Sequence, residues 1–329
     1  MTNVKIKALG AYVPSKKVTS NELEKQHGIA EGWIASHTGV VTRPYFTTES
    51  IVQAGACAAL DAMKNAGLVL TEIDCLIVAS ASKHNPIPCT ASFLKKELGA
   101  SHDMACFDID STCLSFVTAF DTIAYAVAGE KYKNVLIVSS EYPSLACNWE
   151  QKESAALFGD VAIAAIVSKT EENETSKIIF SKMNTYTEGI EYARIKGGTA
   201  GYPADQYCEE TRKDFLFHMD GKRIYKVASK YLPQMFYEAL EESNLKMEDL
   251  KMVIFHQASL LSLQLIQAKL KIPDGKMKYI VQEYGNNVAA SIPMALKVSI
   301  DVGEIKRGDK VMLVGTSAGL SIGVMIIEY

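Results

Sequence analysis

The chain has 329 residues, of which 48% are hydrophobic and 22% charged, and its formal net charge is −4. That is ordinary globular composition, which excludes the disordered and fibrous classes. A slightly acidic chain with no long Lys/Arg block offers no polyanion-binding field, so no nucleic-acid partner is expected.

Residues 1–7 alternate like a first strand and lack the apolar core of a secretory leader. Residues 5–13 read as that strand, stopped by Pro14, and Thr19, Ser20 and Glu22 mark a capped helix start. Trp33 and Ile34, followed by Gly39 and Arg43, form either a ligand rim or a helix end packed on the core. Residues 50–66 are Ala-rich with helical periodicity. Residues 74–80 are a short continuous apolar run, the mark of a strand buried on both faces. After the break at Pro86-Ile87-Pro88, residues 90–98 read as a helix, 106–110 as a strand and 114–128 as a helix. Residues 134–139 and 161–167 are two more buried strands. Residues 171–177 read as a surface loop. Residues 183–210, with Gly189, Gly197, Gly198, Gly201 and Pro203, predict an irregular excursion. Residues 219–243 predict a long amphipathic helix that Pro233 kinks or restarts. Residues 251–255 read as a strand, 292–302 as a helix, and 310–315 and 323–329 as closing strands.

No run approaches the roughly 18 apolar residues of a membrane span. Seven cysteines stand singly at 57, 75, 89, 106, 113, 147 and 208, with no CxxC and no Cys/His cluster at zinc spacing. They predict a reducing cytoplasm and no metal.

Strands and helices alternate throughout, which predicts an α/β fold with sheets covered on both faces. The pattern also repeats. Cys113, Gly129-Glu130 and the apolar run 134–140 recur as Asn286, Gly303-Glu304 and the run 310–316. Residues 74–80 pair likewise with 251–258, and 161–167 with 323–329. A duplicated unit places Cys113 in one half opposite His256 and Asn286 in the other. Cys113 ends a strand and precedes an Ala-rich helix, where orphan N–H groups and the positive end of the helix favour a thiolate. On that stretch alone a buried, unreactive thiol is the commoner reading. A lone strand-end histidine and a Gly-Asn-Asn turn are equally bland by themselves. Together, imidazole and amide N–H groups facing a thiol can hold the charge that develops on an enolate or thioester oxygen.

Ser111-Thr112-Cys113-Leu114-Ser115-Phe116, Phe255-His256-Gln257-Ala258-Ser259 and Tyr284-Gly285-Asn286-Asn287-Val288-Ala289-Ala290-Ser291 resemble the Cys, His and Asn motifs of the β-ketoacyl-acyl carrier protein synthase III family of condensing enzymes. Trp33-Ile34 with Thr38-Gly39, Leu157-Phe158-Gly159-Asp160, Gly308-Asp309-Lys310-Val311 and the turn Gly315-Thr316-Ser317-Ala318-Gly319 add to the resemblance, which spans the chain in order. It implies a thiolase-like fold in a five-layer αβαβα arrangement, with residues 1–170 carrying the nucleophilic Cys and 171–329 carrying His and Asn. It implies an acyltransferase of fatty acid or polyketide-like biosynthesis that works as a homodimer. Cys113 would take an acyl group from acyl-CoA. His256 and Asn286 would hold the carbonyl of a malonyl thioester on acyl carrier protein, whose loss of CO₂ gives the attacking enolate. The N–H groups of Cys113 and Gly319 are the implied oxyanion donors, and no metal or cofactor is implied. Trp33, His37, Arg43, Lys152 and Asn287 are the implied CoA and substrate contacts.

The departures from the family bear on substrate. His37 and Val41 stand where acetyl-CoA-using members carry Arg, and Lys152 replaces a second Arg without its bidentate fork. Leu261 replaces an Arg of the carrier-protein patch, so Lys222, Arg223, Lys226 and Lys230 become the expected docking residues, or else a solvated helix face. The loop 83–90 lacks the bulky aromatic of acetyl-specific members, which implies an acyl group other than acetyl. That loop and the apolar strand 134–139 are the expected dimer contacts. A rival reading keeps Cys113 and passes the acyl group to an O, N or S acceptor, but relatives of that kind depart at the Asn position. Condensation of two acyl-CoAs without decarboxylation needs a carboxylate near Cys113, for which the sequence offers no clear candidate. A non-catalytic partner subunit would usually lack the Cys.

Overall fold

The apolar runs become the inner strands of two sheets. In the computed structural model, which describes residues 1–329, the first sheet contains β1 (Val4–Tyr12), β2 (Cys75–Ala79), β3 (Ala105–Ile109), β4 (Asn134–Glu141) and β5 (Val161–Lys169), in the spatial order β1-β5-β4-β2-β3. The second contains β6 (Lys177–Thr185), β7 (Met252–Phe255), β8 (Lys310–Ser317) and β9 (Ser321–Glu328), in the order β7-β8-β9-β6. The longer helices are α1 (Ser20–His27), α2 (Trp33–Thr38), α3 (Ile51–Ala66), α4 (Thr90–Glu97), α5 (Ser115–Ala128), α6 (Gly221–Glu242), α7 (Leu260–Lys269) and α8 (Ser291–Asp301).

The period of two in a strand sorts each apolar run between two layers. In β4, Val135 and Ile137 join α5 and α8 in a central core of 35 buried residues drawn from both sheets. Leu136 and Val138 face the other way, against α3 and α4. In β8, Val311 and Leu313 enter the central core, while Met312 and Val314 pack under α6 and α7. The result is helix, sheet, helix, sheet, helix: five layers, as the resemblance implied. The sheets repeat each other. β2 pairs in parallel with β3 and β4, and β7 with β8. A single parallel bridge from Val253 to Met277 stands where the second sheet would have its counterpart of β3. Strands of the first sheet end at Lys169 and those of the second begin at Lys177, yet both halves share one core.

Local chemistry sets the ends. Ser50 and Gln53 form a capping box at the start of α3, and Gly67 closes it in the left-handed conformation. Pro233 lies within α6, which continues through it. Two elements escape the sequence pattern. β6 is an edge strand in which only Ile178 is buried, and its apolar run stops after Ile178-Ile179-Phe180. In α7, Leu and Ile fall all round the helix, so no stripe marks it. One expectation is corrected: residues 134–139 lie wholly inside the first sheet, buried at every position, and cannot meet a partner. The outer strands of that sheet are β1 and β3. No helix is long and apolar enough to cross a membrane.

Candidate active site

Cys113 sits in a 3-10 turn, Thr112–Leu114, between β3 and α5. Short side chains stitch that turn. Thr112 N donates to Asp110 Oδ1 (2.9 Å), Ser111 N to Ser115 Oγ (3.0 Å), and Ser115 Oγ to the Thr112 carbonyl (2.7 Å). Leu114 anchors it to the other half. A Cβ on Gly315 would come within 2.7 Å of Leu114 Cδ2, and one on Gly323 within 3.2 Å of Leu114 Cδ1. Only glycines in β8 and β9 leave room for this side chain. The same Cβ on Gly315 would lie 3.4 Å from His256 Cβ, so one glycine brings the nucleophile turn beside the histidine.

His256 follows β7 and is buried. Gln257 fixes the chain there. Its side chain donates to the carbonyls of Phe255 and Lys278 and accepts from Ile280 N. His256 Nδ1 lies 2.6 Å from Ser291 Oγ, which also accepts from Gln257 N at 3.3 Å. Burial pushes the His256 pKa down to about 4, so the ring is neutral near pH 7. Ser291 Oγ accepts one N–H and has Nδ1 as its one acceptor, so the tautomer that uses the hydroxyl proton receives it at Nδ1. That leaves the ring proton on Nε2, as a donor.

Asn286 is held from three sides. Its N–H donates to the Leu157 carbonyl (2.8 Å), its carbonyl accepts from Gly159 N (3.2 Å), and its Oδ1 accepts from Val288 N (2.9 Å). With Oδ1 engaged, Nδ2 is the group left to donate. The 3-10 turn Val288–Ala290 that follows packs on the Cys113 turn. A cavity of about 630 Å³ is lined by His256, Asn286 and Gly315, and also by His37, Lys222 and Tyr225.

The remaining expected residues divide. Trp33, His37 and Lys152 come together. The His37 ring stacks on Trp33 at 4.3 Å, and the Lys152 ammonium lies 4.3 Å from the same indole centroid. Lys222 lines the cavity, and Lys222, Arg223, Lys226 and Lys230 are all exposed on α6. Arg223 is paired with Asp220 and Lys230 lies near Glu188. Gly319 has φ +132°, in the turn from β8 to β9, and its N–H finds no partner in the chain. Two expectations are corrected. Arg43 is fully buried, donating to the Ala156 carbonyl and Ser20 Oγ, so its guanidinium cannot reach a CoA phosphate. Asn287 is also fully buried. Its Nδ2 ties Gly159 O to Tyr284 O and braces the Asn286 turn instead of touching substrate.

The thiol departs from the simple helix-end argument. Burial first, and then the nearby Glu141, push the Cys113 pKa up to about 12. Glu141 is the carboxylate near Cys113 that the sequence did not reveal, because it ends an otherwise uncharged strand. It is fully buried, and burial raises it to about 7. Its oxygens accept from Ala81 N, Ser82 N and Ser82 Oγ, which fastens the start of the 83–90 loop and leaves little capacity for proton abstraction.

Two mixed sheets on a shared helical layer, with Cys, His and Asn turns meeting between the halves, define a thiolase-fold protein with the site of a condensing enzyme. The model of 3-oxoacyl-[acyl-carrier-protein] synthase III matches residues 107–187, and that of its C-terminal part matches residues 240–329. The β-ketoacyl-[acyl-carrier-protein] synthase III of Clostridium perfringens is 34% identical over the full length of both chains. The crystal structure of 3-oxoacyl-[acyl-carrier-protein] synthase III from Aquifex aeolicus superposes with a TM-score of 0.89 at 31% identity, covering 99% of this chain and 100% of that one. The priming β-ketosynthase of the R1128 polyketide pathway superposes equally well, at 26% identity over 99% and 96% of the two chains. The chain belongs to the β-ketoacyl-acyl carrier protein synthase III family.

Proposed function

We propose that this condensing enzyme carries an acyl group on Cys113 and extends it by decarboxylative Claisen condensation. The observation that carries this reading is the pair of fixed donors, His256 Nε2–H and Asn286 Nδ2–H, on the wall of one cavity beside the Cys113 turn. In the first step the Cys113 sulfur attacks the thioester carbon of an acyl-CoA, and the CoA thiol leaves. The Cys113 and Gly319 N–H groups take the oxyanion of that step, and the unpartnered N–H of Gly319 supports this role. In the second step the two donors hold the thioester oxygen of a malonyl unit. Its C–C bond to the carboxylate breaks, CO₂ leaves, and the enolate attacks the acyl carbon to free the sulfur. A neutral, donating histidine suits that step, because decarboxylation makes the carbanion without a base. The engaged Glu141 and the presence of Asn286 weigh against non-decarboxylative condensation and against transfer to a non-carbon acceptor.

The donor enters past the stacked Trp33, His37 and Lys152. The malonyl unit arrives on acyl carrier protein docked along Lys222, Arg223, Lys226 and Lys230. The acyl group is other than acetyl, because the exposed 83–90 loop, with Pro86, Ile87 and Pro88, carries no Phe, Tyr or Trp. The enzyme is a cytoplasmic homodimer. Its seven free thiols suit a reducing compartment. The unpaired edge of β3, with Phe107 exposed, suits strand pairing across a two-fold axis.

The test is to weigh the intact protein after exposure to a panel of acyl-CoAs, then add malonyl carrier protein and follow CO₂. Cys113→Ala gains no acyl mass, while His256→Ala and Asn286→Ala load but release CO₂ at least about a hundredfold more slowly. Loading of Cys113→Ala, or of acetyl alone in the wild type, overturns the corresponding part of the reading.

A further inference from the structure

Thr112, the residue before the nucleophile, has φ +52°. A β-branched residue is a genuine outlier there, and such strain persists where its surroundings hold it, often at functional sites. Its hydroxyl oxygen is buried and makes no well-formed hydrogen bond in the resting site, and the neighbouring Cys113 sulfur is the one group it acts on. An orphaned buried hydroxyl calls for an explanation.

The internal duplication supplies a control. Val288, at φ +50°, opens the 3-10 turn before α8 as Thr112 opens the turn before α5, so the structure corrects the register of the repeat: Asn286 corresponds to Asp110, and Cys113 to Ala289. Asn286 Oδ1 accepts from Val288 N at 2.9 Å, as Asp110 Oδ1 accepts from Thr112 N at 2.9 Å. The two turns share their geometry, and the second is made with a valine. The turn therefore does not need a hydroxyl at this position. Only in the half that carries the cysteine is the isopropyl group replaced by a group that can donate.

We infer that Thr112 Oγ1 donates a hydrogen bond to the Cys113 sulfur as the thiol gives up its proton, which makes Thr112 a catalytic residue of the loading step. The inference rests on Cys113 being the acyl carrier. In loading, the Cys113 S–H bond breaks, its S–C bond to the acyl group forms, the donor C–S bond breaks, and the departing thiolate takes up one proton, so the exchange is proton-neutral. Burial and the carboxylates of Glu141 and Asp110 oppose the thiolate, while the Thr112 hydroxyl acts the other way. It does so without bringing in a second charge.

Thr112→Val removes the hydroxyl and keeps the shape that Val288 shows to be tolerated. Thr112→Ser keeps the hydroxyl. Thr112→Gly relieves the positive φ and has no hydroxyl. The readout is the rate of iodoacetamide alkylation of Cys113, located by peptide mass, as a function of pH. The Val and Gly variants are expected to alkylate about tenfold more slowly at each pH below the midpoint, a shift of about one pH unit, and Ser to follow the wild type. Gly is expected to melt higher than Val, so that stability and reactivity part company. Coincident Val and wild-type profiles would overturn the inference, as would a Ser profile that follows Val. Alkylation needs no acyl donor. A wild type that alkylates but takes no acyl group from any CoA thioester would refute the proposed reaction while the Thr112 comparison still reads the sulfur.

Discussion

The imidazole of His256 and the carboxamide of Asn286 owe their orientation to one neighbour each, the Ser291 hydroxyl and the Val288 N–H. Ser291→Ala lets the His256 proton move to Nδ1 and should slow CO₂ release about tenfold, the worth of one hydrogen bond in the transition state, with acyl loading unchanged. Because burial holds the ring neutral down to about pH 4, the condensation half-reaction of pre-acylated enzyme should show no inflection near pH 6.5. A fall with a midpoint at the ordinary histidine value would contradict the buried, neutral ring. Two carboxylates act on stability instead. Burial raises Asp160 and Glu141 to about 7. Between about pH 4 and 7 the unfolded chain has released protons that the native chain still holds. The stability these groups contribute is therefore full at low pH, falls through that window and levels above it. Asp160→Asn should flatten part of that decline in melting temperatures measured from pH 4.5 to 8.

At the scale of elements, the site is a set of turns held at glycine contacts. A Cβ on Gly159 would lie 2.2 Å from the Tyr284 carbonyl oxygen, and one on Gly285 would lie 2.6 Å from that of Leu157. The two turns therefore interlock at their backbones, and Asn287 Nδ2 clips them from behind. Gly159→Ala forces them apart, at about 1–3 kcal/mol. It should lower the melting temperature by several degrees and impair CO₂ release more than acyl loading, since Asn286 belongs to this clamp and Cys113 does not. Equal loss of both steps would mean that the clamp supports the whole fold and not Asn286 in particular. Gly315 does for Leu114 and His256 what Gly159 does for Asn286. In each case the sequence shows only a glycine, and the segment it admits, the Leu114 turn or the Tyr284 turn, lies more than a hundred residues away.

At the scale of the whole molecule, the central core binds the two halves into one unit. α5 from the first half and α8 from the second lie in the same cluster of 35 buried residues. The outer strand β3, by contrast, ends in open space with Phe107 exposed. Phe107→Asp should convert the proposed dimer to a monomer by native mass; an unchanged dimer would place the interface elsewhere, and a monomeric wild type would overturn the dimer itself. Much of this architecture was legible in the residues themselves. Strands buried on both faces must be apolar throughout, so β2, β4, β5, β7, β8 and β9 declared themselves, and the duplication set Cys113 opposite His256 and Asn286. Edge strand β6 and helix α7 did not: most of β6 is only half covered, and α7 carries leucines on its exposed face, Leu261 and Leu265, as well as on its buried one. Nor could a string of residues tell which charges are interior. Arg43 and Asn287 match binding positions by motif, but long-range packing buries both against the Ala156 carbonyl and the Gly159 turn. Glu141 became visible only when the end of β4 was brought beside Cys113. Periodicity records which face of an element is dry, and that suffices for the layers. The environment of a titratable group is set by whatever distant segment packs over it, and only the tertiary structure decides that.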